Sequence, residues 1–290
     1  MGCLSTDFEW SIMNKTRLFI ALQHALPQVW LTRLFSRITQ SSKSPWLKRR
    51  LINWLIRRYK IDLSLMANPD LESYTTFNEF FIRQLHEAAR PIAPEGIISP
   101  VDGTISQIGE IKLGRLIQAK GVDYALKDLL AGDAKLTEAL LGGKFTTLYL
   151  APKDYHRVHM PLTGKLLKTI YVPGRLFSVN AVTAQNVKNL FARNERLICE
   201  FATERGKMIM IFVGAMFVAG IHTSWAGDIK RGKEIVVTDY SSEDISLERA
   251  AEAGYFKFGS TIILLFPAHT IEWEAALSAG QTIVMGQKIA

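Results

Sequence analysis

The chain has 290 residues, 48% hydrophobic and 21% charged, a balance that supports a sizeable buried core and excludes wholesale disorder. The formal net charge of +8 is uneven: residues 1–60 hold eleven basic side chains against Asp7 and Glu9, a net of +9, and the remaining residues sum to −1. Basic character confined to one segment points to an anionic surface met by that segment, and no nucleic-acid partner is expected.

In chain order, Asp7 and Glu9 precede the first apolar stretch and no small-residue cleavage site follows it, so no secretory signal is expected. The start Met1-Gly2-Cys3-Leu4-Ser5-Thr6 fits the loose myristoylation pattern, for which chance is the better reading. Leu18, Leu22, Leu26 and Val29 recur at spacings of three and four, with Pro27 as a kink or break, and Trp30, Leu31 and Leu34 continue the apolar face. After Ser44-Pro45 a second amphipathic segment sets Trp46, Leu47, Leu51, Trp54 and Leu55 among Lys48, Arg49, Arg50, Arg57 and Arg58. Such helices usually pack on their own domain. The concentration of charge beside tryptophans favours interfacial membrane helices, and residues 1–60 are read as a membrane-binding unit ahead of a catalytic body over 61–290.

A third helix is expected over residues 77–85, capped by Thr75 or Thr76 and ended before the turn at Arg90-Pro91. The pattern then turns to β, with strands over residues 97–107, 145–150, 164–172, 196–201, 207–221, 234–238 and 256–266. Helical interruptions are expected over residues 126–141 and 181–191. The longest uncharged stretch, Met208 to Gly227, carries Gly214, Gly220, Thr223 and Ser224, which favours two buried strands over a membrane span. The fold class is α+β, N-terminal amphipathic helices followed by a β-rich body. Cys3 and Cys199 are too few for a disulfide framework and too isolated for a zinc cluster, so a reducing compartment is expected.

Three stretches carry chemistry. In Ser99-Pro100-Val101-Asp102-Gly103-Thr104, the Asp-Gly pair taken alone is a turn signal. In Asp154-Tyr155-His156-Arg157-Val158-His159-Met160-Pro161, two histidines three apart share a face on a helix and point apart on a strand, and two ligands do not make a metal site. In Phe258-Gly259-Ser260-Thr261, the glycine is locally a bend, and no glycine follows at the spacing a hydrolase elbow requires. An Asp, a His and a Ser could together supply an orienting carboxylate, a base and a nucleophile, although spacing does not show that they meet.

The last two of these stretches, with Phe77-Asn78-Glu79-Phe80-Phe81-Ile82-Arg83, Ala119-Lys120-Gly121, Tyr171-Val172-Pro173-Gly174, Phe177-Ser178-Val179-Asn180 and Asn189-Leu190-Phe191-Ala192-Arg193-Asn194-Glu195-Arg196, resemble the successive signatures of bacterial phosphatidylserine decarboxylase proenzymes, in the family's order. The resemblance implies self-cleavage between Gly259 and Ser260, giving a β chain of residues 1–259 and an α chain of 260–290. It also implies that Asp102, His159 and Ser260 form the self-processing triad and that His156 meets the substrate. The family motif has leucine where this chain has Phe258; an apolar residue is kept, so the change bears on the rate of cleavage. His159 is expected to take the Ser260 proton while Asp102 fixes the imidazole tautomer, and Gly259 to permit strained backbone and leave its carbonyl unshielded. Ester formation, β-elimination and hydrolysis then leave a covalent pyruvoyl group. Through a Schiff base this pyruvate would convert phosphatidylserine to phosphatidylethanolamine and CO2, with His159 reprotonating the α-carbon and neither a metal nor a pyridoxal lysine involved. A homodimer of processed protomers, peripheral on the cytoplasmic side of the cell membrane, is implied as well. Three rivals remain at this stage: a Ser-His-Asp lipid esterase with an intact chain, a non-catalytic membrane module, and a pyruvoyl decarboxylase of a free amino acid.

Overall fold

The structure, a computed structural model of the chain, describes residues 4–217 and 220–290; the Met1-Gly2-Cys3 pattern lies outside the described residues. Three helices come first, α1 (Leu4–Ala25), α2 (Gln28–Thr39) and α3 (Pro45–Tyr59). Pro27 separates the first two, where a residue without an N–H cannot continue the ladder. Pro45 opens α3 in its first turn, and Lys60 closes it in the left-handed conformation at φ 53°.

The amphipathicity of α1 and α2 is inverted relative to a helix that packs on its own domain. Gln23, Gln28, Thr32 and Thr39 are buried, whereas Leu18 and Trp30 are each 61% exposed and Leu22, Val29, Leu34 and Ile38 also face outward. Thr39 bonds back to the Phe35 carbonyl of its own helix, and the other three find partners in the body. Gln23 Oε1 accepts from the Ser178 N–H and Gln28 Oε1 from the Leu176 N–H, both at 2.9 Å, and Thr32 Oγ1 accepts from the Phe217 N–H at 3.1 Å.

Helix α4 (Phe77–Phe81) starts where the sequence places it. Thr76 Oγ1 accepts from the Glu79 N–H at 3.1 Å, and the Glu79 carboxylate accepts from the Thr75 N–H at 2.6 Å. It stops at Phe81 instead of running to residue 85, because the chain there pairs with an earlier segment: the Ala67 N–H donates to the Gln84 carbonyl and the His86 N–H to the Leu65 carbonyl. Ile52 and Leu55 of α3 meet Phe77, Phe80 and Phe81 in a small core of their own.

The body consists of β1 (Gly103–Glu110), β2 (Arg115–Ala119), β3 (Val122–Ala125), α5 (Leu126–Leu129), α6 (Ala134–Ala139), β4 (Lys144–Leu150), β5 (Arg157–His159) and β6 (Gly164–Val172). It continues through α7 (Ala181–Asn186), α8 (Leu190–Arg193), β7 (Arg196–Thr203), β8 (Gly206–Val213), β9 (Ile221–Thr223), β10 (Gly227–Asp228) and β11 (Val236–Asp239). It ends with β12 (Ser246–Leu247), β13 (Glu252–Phe256), β14 (Ser260–Phe266) and β15 (Thr282–Ile283). Among the described residues the main antiparallel sheet runs β11-β6-β7-β8-β14-β4-β1-β15, with β12 beside β6; a smaller sheet runs β10-β9-β13-β5, and β2 pairs with β3. This is the α+β architecture expected. The uncharged stretch after Met208 supplies β8 and β9.

Two strand expectations are corrected. Residues 97–102 turn before β1, where Ser99 Oγ donates to the Val101 carbonyl at 2.8 Å. The single strand expected over 256–266 is two: β13 belongs to the small sheet, β14 to the main one, and Lys257-Phe258-Gly259 is the crossover between them. β14 lies between β8 and β4, and every one of its residues is buried, as the run of Ile, Leu and Phe demands of a strand covered on both faces.

Candidate active site

Ser260 opens β14, with Leu150 of β4 as its partner, while the pairing with β8 begins one residue later at Thr261 and Val213. The hydroxyl is buried and has no hydrogen-bond partner. A buried unpaired hydroxyl is costly, and Ser260 shares that state with the neighbouring Thr261 hydroxyl and with both nitrogens of His156. Gly259 has no positive φ, and a Cβ there would meet the Leu150 carbonyl at an ordinary 3.6 Å. The strained backbone expected at this glycine is therefore absent. What remains of the argument is access, since no side chain shields the carbonyl.

Phe258 is where the two hydrophobic cores meet. Its ring stacks on Phe81 with centroids 4.4 Å apart, Phe81 stacks on His156 at 4.2 Å, and Phe35 of α2 approaches Phe258 edge-on at 5.1 Å. The departure from leucine thus has a structural use, because a flat ring continues the column that runs from α2 to His156.

The two histidines follow β4. Asp154 Oδ2 accepts from the Ala151 N–H at 2.7 Å and closes the turn that leads into β5. Only His159 lies in the extended β5, so the two histidines do not share a helical face as a metal-ligand pair would. Among the described residues no group of three metal-ligating side chains occurs. Neither nitrogen of the fully buried His156 has a partner. Burial pushes its imidazole down to about 3, and the Arg83 charge adds to that effect against the Ala151 and Pro152 main chain, so the ring is neutral.

His159 is held at both nitrogens. Nδ1 lies 2.8 Å from the Ala250 carbonyl, which can only accept, so Nδ1 carries the proton. Nε2 lies 3.2 Å from the Tyr155 hydroxyl and bears the lone pair. Burial lowers this imidazole, opposed by the Ala250 carbonyl and by the charges of Glu252 and Asp102. It is thus a neutral base whose free electron pair sits on the atom that would take a proton.

Asp102 leads into β1. Because Thr104 pairs with Tyr149 and Leu150 pairs with Ser260, Asp102 and Ser260 lie at the same end of the sheet, on either side of β4 and about 10 Å apart at two strand spacings. The Asp102 carboxylate does not hydrogen-bond to His159. It is clasped by Arg90, with Nε 2.8 Å from Oδ1 and Nη2 on Oδ2, and it accepts from the Met285 N–H at 2.9 Å. The tautomer of His159 is therefore fixed by Ala250, and Asp102 reaches the ring through its field. Tyr155, Arg90 and the Ala250 carbonyl were not legible as site groups: Arg90 read only as part of a turn, and a main-chain carbonyl leaves no trace in a sequence. Tyr155 did stand inside the Asp154–Pro161 stretch, between the turn aspartate and the first histidine.

The family model described as phosphatidylserine decarboxylase matches residues 77–290, and one described as PSD matches 18–60. The chain belongs to the phosphatidylserine decarboxylase family. A phosphatidylserine decarboxylase proenzyme of Ectopseudomonas mendocina is 50% identical over 279 residues, covering 94% of this chain and 97% of the relative. Those of Marinobacter nauticus and Pseudomonas aeruginosa are 46% and 48% identical, covering 93% and 95% of this chain and 96% and 97% of their own lengths. In this phosphatidylserine decarboxylase family member, the Phe258-Gly259-Ser260-Thr261 crossover and the column through Phe81 to His156 meet at the start of β14, and no hydrogen bond joins Ser260 to His159.

Proposed function

We propose that this chain is a proenzyme that cleaves itself between Gly259 and Ser260 and then acts as a phosphatidylserine decarboxylase, a carboxy-lyase that releases CO2 and phosphatidylethanolamine. The observation that carries the reading is the buried Ser260 hydroxyl without a partner, directly behind an unshielded glycine carbonyl, in a chain half identical to proenzymes of that name.

For self-processing, His159 Nε2 takes the Ser260 proton once Tyr155 releases it, Oγ bonds to the Gly259 carbonyl carbon, and the proton passes from the imidazolium to the Ser260 nitrogen as the peptide C–N bond breaks, leaving an ester and an amine. Asp102 stabilises the imidazolium through space, and Arg90 holds that carboxylate in place. The residues also fit a pyruvoyl group at position 260: elimination would carry Oγ away on the Gly259 carboxylate and water would replace the Ser260 nitrogen with a ketone oxygen on Cα, so the hydroxyl that leaves gives up no hydrogen bond. That group supplies the carbonyl that captures the substrate amine and draws off the electrons released with CO2. Around it, neutral His156 and the rings of Phe81 and Phe258 offer a dry, uncharged wall in which a carboxylate is poorly stabilised and CO2 well tolerated. His159, with its lone pair on Nε2, serves as the proton carrier for the α-carbon.

We further propose residues 1–60 as the membrane-binding unit and 61–290 as the catalytic unit. Three features support this: the outward apolar face of α1 and α2, the 65% and 55% exposed Trp46 and Trp54, and the surrounding cations. No described helix is long and apolar enough to cross a membrane, which suits a peripheral enzyme at an anionic cytoplasmic leaflet. Exposed Val236 and Val237 on the edge strand β11 support pairing into a homodimer. Incubating purified protein with phosphatidylserine and measuring CO2 release tests the reaction. Ser260→Ala is expected to remain one chain and release none; full activity from an uncleaved chain rejects the proposal.

A further inference from the structure

Arg83 is 96% buried by residue, at 4% exposure, yet makes no ion pair among the described residues. One of its terminal nitrogens donates to the Lys153 carbonyl at 3.0 Å, the other lies 3.5 Å from the Phe81 carbonyl, and Nε has no partner at all. The other deeply buried arginine shows what a purely structural guanidinium looks like here. Arg196 is saturated by the carbonyls of Leu129, Ala192, Asn194 and Asp128. Arg90, Arg157 and Arg231 each have a carboxylate. The remaining contact of Arg83 is the Phe80 ring, 5.4 Å from the guanidinium carbon, which offsets part of the cost of burial but fills none of the open N–H positions; a bound anion would do both.

Arg83 lines a cavity of about 180 Å³ together with Lys60, Arg90 and Lys153 on the cationic side and Asp62, Asp102 and Asp154 on the anionic side. Of the carboxylates only Asp102 is paired with a cation, Arg90, and it also accepts from the Met285 N–H; Asp154 and Asp62 accept only from the neutral Ala151 N–H and Ser64. Lys60, Arg83 and Lys153 have no ion pair among the described residues, and with Arg90 they set four cations against three carboxylates, so the lining has a surplus of one positive charge. The cavity adjoins the reaction site. Lys153, whose carbonyl holds Arg83, lies in the turn between Leu150, the strand partner of Ser260, and His156, whose ring feels the Arg83 charge.

We infer that Arg83, with Lys60 and Lys153, seats the phosphodiester of phosphatidylserine. The inference rests on the decarboxylase reading and names the part of the substrate this corner of the site holds. The head group carries two anions, and only one can belong here. A guanidinium on the α-carboxylate would stabilise the charge that must be lost as CO2 and would oppose the reaction, whereas the phosphodiester keeps its charge throughout and is bound equally in ground and transition states. Arginine is suited to a phosphate because its planar fork offers parallel donors, and here Nε is one still free.

The test has two arms. In the first, unprocessed Ser260→Ala protein is titrated with inorganic phosphate, followed by phosphorus NMR line broadening at ionic strength matched with chloride. Saturable binding is expected, weakened about tenfold or more by adding Arg83→Gln. In the second, Arg83→Lys is introduced into the otherwise native, processed enzyme. The KM for phosphatidylserine in mixed micelles is expected to rise about tenfold with kcat within about threefold, the split that marks uniform binding. Equal phosphate affinity with and without Arg83 overturns the inference. So does weakened phosphate binding with an unchanged KM, which would make the cavity a free-phosphate site. If the native protein releases no CO2 from phosphatidylserine, the functional reading fails instead, and the phosphate arm still reports on Arg83 by itself. Should Arg83→Gln not fold, Arg83→Lys carries both arms.

Discussion

His159 gives the most exposed expectation at the scale of single residues, because its lone pair is the proposed processing base. Burial holds its pKa below the ordinary 6.5, so the neutral form persists to more acid pH than in a free histidine. The rate of self-cleavage is therefore expected to be flat above about pH 6.5 and to fall at lower pH with a midpoint below that value, as followed by denaturing electrophoresis. A rate that declines through neutral pH would remove His159 from the base role. Tyr155→Phe is expected to leave cleavage intact or faster, since it frees Nε2 from the hydroxyl it now faces. At Phe258, leucine should still permit cleavage while costing about 1 kcal/mol of stability for the lost stacking on Phe81, read from thermal unfolding of uncleaved protein. A Phe258→Leu protein that never splits would show that the ring is needed for processing itself.

At the scale of elements, the first two helices present the clearest conflict with ordinary packing. Gln23, Gln28 and Thr32 face the body while Leu18, Leu22, Val29, Trp30, Leu34 and Ile38 face outward, an arrangement that water alone penalises. Replacing exposed Trp30 and Leu34 together by glutamate is expected to weaken binding to anionic vesicles by roughly a hundredfold, since each large apolar side chain contributes about 1.5–3 kcal/mol when buried. The unfolding temperature should hardly move, because neither residue is in the core. Binding by the native chain is expected to weaken as salt rises. Vesicle sedimentation that does not distinguish the double variant from the parent would reject an interfacial role for this face. The helices themselves, the break at Pro27 and the start of α3 at Pro45 were legible, because proline and a period near 3.6 act locally. Which face would be buried was not, since Gln23, Gln28 and Thr32 take their partners from residues about 150 or more positions away. The same holds for Asp102, whose turn signal was plain while its clasp by Arg90 depends on how two loops meet.

On the scale of the whole molecule, the split falls where the fold can tolerate it. Lys257-Phe258-Gly259 joins two sheets, and the new chain end lies at the head of a strand hydrogen-bonded on both sides, from Ser260 to Phe266 with β4 and from Thr261 to Leu265 with β8. Residues 260–290 are therefore expected to stay in place after cleavage, with the two chains co-eluting in native size-exclusion chromatography and parting only in denaturant. The contact of Asp102 with the Met285 N–H also ties the two chains together. The α+β order and most strands of the main sheet were readable from alternation and from Gly and Pro boundaries. The short strands of the small sheet were not, because two or three residues carry no period. The central claim is the fate of the Gly259-Ser260 bond, and intact-mass spectrometry of the purified protein measures it directly. The expected spectrum shows a large chain ending at Gly259 and a small chain spanning 260–290 that lacks a free amine and bears a ketone in place of Ser260. A single uncleaved mass from protein that decarboxylates phosphatidylserine at full rate would contradict it.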